Sequence, residues 1–566
     1  MPNTNRIMTF FGWTFAVAAL LWQPAVSKGA DAEPTAFVML PGSDELMGGA
    51  HYLLNLTNPT EQKQWPVLKS YFEVFLIGVD SKLPTRVGVV FDKKADRYIW
   101  SVPVAKLSKF RKDNVASIIT PHIKEVGNNL FKLGNGRATD FNGYMLYTAP
   151  YAHIGETQKD VTDVPADPRS VLQPLLAKHF LAAVVFDNQQ TDAASQTKRH
   201  ELFQTTRKQS LAALKKQKGE TQADFDLRKK ALEIELDEAE WFFSESQHTL
   251  LGLTLDEKQG TGRLDIEMTP IAGTPLAQSV DQLQTKASHF ANIEKSADPI
   301  LSARFNHPLS EIRKKTASAM AALAKARAAS RIESDDKLSA DQKQASKQIL
   351  DQSFALLEAG FKAGLADGFL DVHKGASGKN VLLGAVWTPD GSKVPEILAL
   401  LPKARAGENV KLKVAEESGV TIHSVDLAKD HVYWNDFIGA TTLYVGAGKE
   451  AVWVAAGEGA LDNLKAAIKK AAQPAPAGAD KAPWADLLVH VKPFVDEANS
   501  QPAKRKGDDK YRKMLLSSFE GGDDQLSVRM TRQEHKIVGE VTLQKGLLRF
   551  AGKAASDFSR ENLDET

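Results

Sequence analysis

Few stretches of this chain set reactive side chains at spacings that chemistry requires. Gly446-Ala447-Gly448-Lys449-Glu450-Ala451 fits G-x-G-x-x-A and follows an apolar run, Thr441–Val445. Such a turn binds a dinucleotide by aiming a helix N-terminus at the pyrophosphate. Here Val452-Trp453-Val454-Ala455-Ala456 comes next and reads as a second strand, so the segment is a hairpin turn. Gly457-Glu458-Gly459 does precede a helical stretch, Ala460–Ala472, but the Glu458 carboxylate opposes phosphate. His200-Glu201-Leu202-Phe203-Gln204 carries Gln204 where a zinc protease needs its second imidazole. Gly375-Ala376-Ser377-Gly378-Lys379 resembles a nucleophile elbow only in part and sits in a hairpin turn. The 13 histidines include no pair three to five residues apart. Asp335-Asp336, Asp508-Asp509 and Asp523-Asp524, and the trio Asp160, Asp163 and Asp167, lack the regular oxygen spacing of a calcium loop. No catalytic, cofactor-binding or metal-binding residue is assigned.

What remains is a binding surface. Tyr433-Trp434-Asn435-Asp436-Phe437 follows His431, and Asn142-Gly143-Tyr144 occupies the comparable region earlier in the chain. Aromatic side chains beside Asn and Asp suit glycans and peptides. His431, Tyr433, Trp434, Asp436 and Tyr144 are the candidate ligand or partner surface.

The elements that must position these residues repeat. Two short apolar strands flanking a polar turn, then an amphipathic stretch, occur at Arg86–Lys112, Leu250–Leu283, Gly368–Leu401 and Leu526–Phe558. A strand is expected ahead of each: His51–Leu56 (before Pro59), Phe180–Phe186, Ile300–Phe305 (before Pro308) and Asp486–Val491 (before Pro493). The expected class is α+β: duplicated strand–helix–β-hairpin–helix units forming antiparallel sheets covered by helices. The units pair into two halves, residues 34–285 and 297–557, with a polar tail at 558–566. Two long helical hairpins, coiled-coil-like arms, interrupt them at 196–246 and 310–362. In the first arm a basic helix (Arg199, Arg207, Lys208, Lys215) faces an acidic one (Asp224, Glu233, Asp237, Glu240), which favours antiparallel pairing. Thr221 and Ser339 are expected to cap the second helix of each arm.

The N-terminus reads as a secretory signal over residues 1–32. Arg6 precedes an apolar run, Ile7–Trp22, and Ala30-Asp31-Ala32 has the form that signal peptidase cuts. Full-length net charge is +1, and loss of Arg6, Lys28 and Asp31 brings the mature chain to zero. A neutral chain has no general field for nucleic acid. There is no cysteine, hence no disulfide and no thiolate nucleophile.

The signal, the missing cysteine, the repeated hairpin–helix units and the Ala/Lys-rich arms together resemble a set of signal-bearing secreted proteins common in planctomycete bacteria. The resemblance implies export to the periplasm or cell surface and implies no activity, cofactor or site residue. The expected function is a non-enzymatic binding or scaffold protein of the bacterial envelope, its partner an envelope protein or glycan. The alternatives are an extracytoplasmic hydrolase working through the His431–Asp436 loop, and a carrier of lipid or another apolar ligand held between sheet and helices. Neither a nucleic-acid partner nor a membrane span after signal cleavage is expected.

Overall fold

The structure is a computed structural model describing residues 35–90, 97–137, 141–218, 220–428, 437–499 and 508–563. Its first strands are β1 (Thr35–Leu40), β2 (Thr85–Val90), β3 (Arg97–Pro103), β4 (Ile123–Gly127), β5 (Leu130–Leu133), β6 (Gly143–Thr148), β7 (Tyr151–Gly155), β8 (Ala182–Asp187), β9 (Ser246–Asp256) and β10 (Thr261–Pro270). The rest are β11 (Pro299–Pro308), β12 (Leu365–Lys374), β13 (Asn380–Trp387), β14 (Asn409–Glu417), β15 (Val420–Asp426), β16 (Thr442–Ala447), β17 (Ala451–Ala456), β18 (Ala485–His490), β19 (Gln525–Gln533) and β20 (Lys536–Leu543).

The principal helices are α1 (Ser43–Asn55), α2 (Trp65–Phe75), α3 (Arg169–Leu176), α4 (Ala193–Ala213), α5 (Gln222–Glu245) and α6 (Pro275–Gln282). They continue with α7 (Glu311–Glu333), α8 (Ala340–Ala363), α9 (Ala460–Ala471), α10 (Val491–Asn499), α11 (Asp508–Ser518) and α12 (Lys545–Asn562). The chain is thus of the α+β class, with a large antiparallel sheet. Among the described residues no helix is long and apolar enough to cross a membrane.

All twenty strands join one sheet. Pairing gives the order β4-β5-β6-β7-β3-β2-β1-β8-β9-β10-β20-β19-β18-β11-β12-β13-β17-β16-β15-β14, antiparallel throughout. The first ten strands and the last ten follow the same order, and they meet where β10 pairs with β20. The sequence pointed to separate sheets; the free edges of β10 and β20 instead satisfy each other, as unpaired backbone donors and acceptors demand.

One expected strand is helical. His51–Asn55 forms the end of α1, with Leu56 capping it, and the strand of that unit is β1, earlier in the chain. Leu46, Ala50, Leu53 and Leu54 are spaced by three and four, the helical period, while six alternating residues taken alone fit either element. At the other end, α12 runs to Asn562, through the first part of the stretch expected as a tail.

Directly opposed residues of an antiparallel sheet point to one face, so the register sorts the core. The front face is buried by single helices. Under α3, Phe37, Met39, Ala183, Val185 and Leu250 pack on Leu172 and Leu175. Under α9, Phe369, Ala385, Trp453 and Ala455 pack on Leu464, Ala467 and Ile468. Phe290, from the segment ahead of β11, fills that core with its ring centroid 5.3 Å from Trp453 and 5.4 Å from Phe369. Asp371 lies buried at its margin, accepting from Ser302 Oγ (2.5 Å) and Arg304 Nη2 (2.6 Å).

The back face carries the other helices. Phe131, Met145 and Ile154 meet Phe110 and Val115 of a π-helix over Phe110–Ile119. At the far end Val445 and Ala447 meet Val394 and Leu398. In α4 and α5, Arg207 pairs with Asp237, and His200 Nδ1 lies 3.2 Å from Glu240. Thr221 and Ser339 cap α5 and α8 as their hydroxyls allow. Arg313 of α7 bonds Glu238 of α5, joining the two halves above the sheet.

Candidate functional site

The middle of the back face is apolar and thinly covered. One row runs Leu370, Ala303, Leu487, Val528, Val541, Leu264 and Leu253, each opposite the next. Beside it runs Val386, Gly368, Phe305, Ala485, Met530, Gly539, Ile266 and Leu251. Apart from the two glycines, none of these residues reaches full burial, and Phe305 is 40% exposed. None belongs to a buried core cluster.

Helices wall this strip along both sides. On one side Leu548 of α12 lies over Gly262, at the distance where a Cβ would stand 2.8 Å from it, and Gly49 of α1 lies by Leu255. On the other, Leu276 and Val280 of α6 with Phe242 of α5 pack on Met268 and Ile537. Gly262 and Met268 are six residues apart on β10, which at the rise of a strand is about 20 Å. Two helices of about 10 Å diameter leave a gap of about 10 Å between them. The two rows run side by side over the seven strands from β9 to β12, about 29 Å across at the usual strand spacing. The result is a trough with an apolar floor and no ionisable group in either row.

The front face differs at the same place. Asp486, Arg529, Glu540 and Asp265 form a cross-strand row, and Lys178 bridges to Glu267 at 2.6 Å. A cleft of about 310 Å³ opens there, lined by Lys178, Arg263, Asp265 and Glu267 among others. Each cation in it already faces a carboxylate: Arg263 meets Asp265 at 3.0 Å.

The acid–histidine contacts explain themselves structurally. His289 Nδ1 lies 2.9 Å from Asp367, and Ser288 Oγ donates to the same carboxylate at 2.6 Å. Both groups bond the acid, so the imidazole is not set to take the serine proton. His490 Nδ1 meets Asp524 at 2.8 Å, where Lys492 N also donates, which anchors the start of α10. Among the described residues no group of three or more His, Asp or Glu could hold a metal ion.

Of the residues singled out from sequence, His431, Tyr433, Trp434 and Asp436 lie outside the described residues. Tyr144 lies on β6 opposite Gly155 and Lys132, half-buried, on the front face and so not in the trough. The glycine motifs are turns. Gly448 N donates to Ala451 O in the β16–β17 hairpin, and Glu458 accepts from Ser377 N, holding the β12–β13 turn. The trough escaped sequence reading because its rows gather residues from eight strands spread over nearly 300 positions. The local signal, apolar alternation on β9, β10, β19 and β20, does not say whether that face is covered.

No protein-family model matches this chain, and no similar curated protein or solved structure was found.

Proposed function

We propose that this protein is an exported binding protein of the bacterial envelope that holds a long-chain apolar ligand, such as an acyl lipid, in the back-face trough. The observation that carries this reading is the incompletely buried apolar floor between two helical walls. A soluble protein rarely leaves so wide a contiguous apolar surface without use. A gap of about 10 Å suits one or two acyl chains lying across the strands, and a floor of about 29 Å matches their length. Each methylene withdrawn from water there contributes about 0.8 kcal/mol. The trough holds no acid, base or nucleophile, so binding rather than turnover is its role.

Export rests on the signal-like N-terminus and the absence of cysteine. Duplication of an ancestral ten-strand half accounts for the repeated strand order; the arms are insertions at non-equivalent places, one between β8 and β9 and the other between β11 and β12. A protein-partner role finds separate support in Met320 of α7 and Leu357 of α8, 52% and 40% exposed.

The test is native mass spectrometry of the mature protein from its own envelope fraction, beside a solvent-extracted control. A mass excess that extracts as lipid, and displacement of a fluorescent fatty acid from the emptied protein, are expected. A bare protein that takes up no acyl probe would overturn the reading.

A further inference from the structure

Helix α12 carries one lysine into the protein interior. Lys553 is 5% exposed, and its Nζ lies 2.6 Å from Ser517 Oγ of α11. Among the described residues it forms no ion pair with a carboxylate. Lysine is almost never buried without a paired charge, because the ammonium loses its hydration. Burial shifts such an amine toward its neutral form. A neutral amine within hydrogen-bond reach of a serine hydroxyl is the arrangement of a serine–lysine nucleophile and base.

We propose that Ser517 and Lys553 form a nucleophile–base pair that cleaves carboxylic esters. Ser517 is half-buried, less enclosed than Lys553. Its Oγ also donates to Met514 O at 3.1 Å, the resting bond it gives up when its proton passes to Nζ. Ser556, one turn along α12 from Lys553, holds a buried hydroxyl with no hydrogen-bond partner among the described residues.

The cycle balances without a further reagent. Ser517 Oγ adds to the ester carbonyl carbon and its proton moves to Lys553 Nζ. The ester C–O bond then breaks, and the departing alkoxide takes that proton. Water adds to the acyl-serine, giving a proton to Nζ. The acyl–Oγ bond breaks, the carboxylic acid leaves and Ser517 regains its proton. Burial lowers the Lys553 pKa, Arg549 on the same helix acts in the same sense, and Glu61 and Glu520 oppose them. This activity is independent of the trough, since Leu548 faces the trough and Lys553 faces α11.

The experiment treats the full mature chain with a fluorophosphonate probe from pH 6 to 10 and maps adducts by peptide mass. A single adduct at Ser517 is expected, forming faster as pH rises. It should be absent in Ser517→Ala and at least 100-fold slower in Lys553→Met, with circular dichroism confirming both folds. Should Lys553→Met not fold, Lys553→Arg keeps the length and charge without a usable base, and it should be slowed equally. Folded wild-type protein that stays unlabelled at Ser517 across this range would sink the proposal. So would a folded Lys553 variant that labels at the wild-type rate.

Discussion

Asp265 of β10 and Glu540 of β20 stand directly opposite each other where the two halves of the sheet join. Like charges in a cross-strand pair oppose the pairing. Each has a neighbour that tempers this: Arg263 lies 3.0 Å from Asp265, and Arg529 is opposite Glu540 on the other side. Glu540→Gln should therefore stabilise the protein by about 0.5 kcal/mol in urea melts at low salt, and less at high salt. A loss of stability would mean that Glu540 is held by Arg529 more strongly than Asp265 repels it.

The trough should be separable from the fold. Leu264 is half-buried on its floor. Leu264→Arg is expected to weaken binding of a fluorescent acyl probe at least ten-fold while changing the melting temperature little. The same substitution at Leu464, fully buried on the sheet side of α9, should instead unfold the protein.

Asp371 should be structurally costly to lose. It is buried and serves both Ser302 and Arg304, whose guanidinium also lies over the Phe369 ring. Asp371→Ala leaves a nearly buried cation without its counter-ion, at a cost of about 3 kcal/mol. Chemical denaturation measures this directly.

Acid should weaken the fold through His307. Burial, with a further push from Arg313, lowers its pKa from 6.5 to about 4. The unfolded chain therefore binds more protons between these values. Its contribution is fully present above pH 6.5 and is lost as pH falls toward 4. The full loss is of order 3 kcal/mol at 1.36 kcal/mol per unit. His307→Gln should flatten the stability–pH curve over that window; a curve parallel to wild type would assign the acid sensitivity elsewhere.

The contact between the halves above the sheet is modest. Glu238 bonds Arg313, which is partly exposed, and accepts from Thr316 Oγ1 at 2.8 Å. Glu238→Ala should cost about 1 kcal/mol, and a double-mutant cycle with Arg313→Ala should show most of that as coupling.

The strands and helices were largely legible because each has a local cause. Gly375 and Gly378 mark a reversal, Thr221 and Ser339 open helices, and apolar alternation marks strands such as β11. His51–Leu56 was misread because a six-residue pattern does not distinguish the end of a helix from a strand. The join at Asp265 and Glu540 was not legible, because nothing near either residue names its partner. The trough and the Ser517–Lys553 contact were missed for the same reason. Both depend on which face of an element is left uncovered, a property of the assembled molecule.

The joining of β10 to β20 also sets a timetable. Asp265 leaves the ribosome about 275 residues before Glu540, tens of seconds at about 5–20 residues per second. Throughout that interval β10 has a backbone edge and no mate. Its Arg263, Asp265 and Glu267 put charge on every second position of the waiting strand, a pattern that discourages pairing with strangers. The charges that sit uneasily in the finished sheet are the ones that guard it while it is half made.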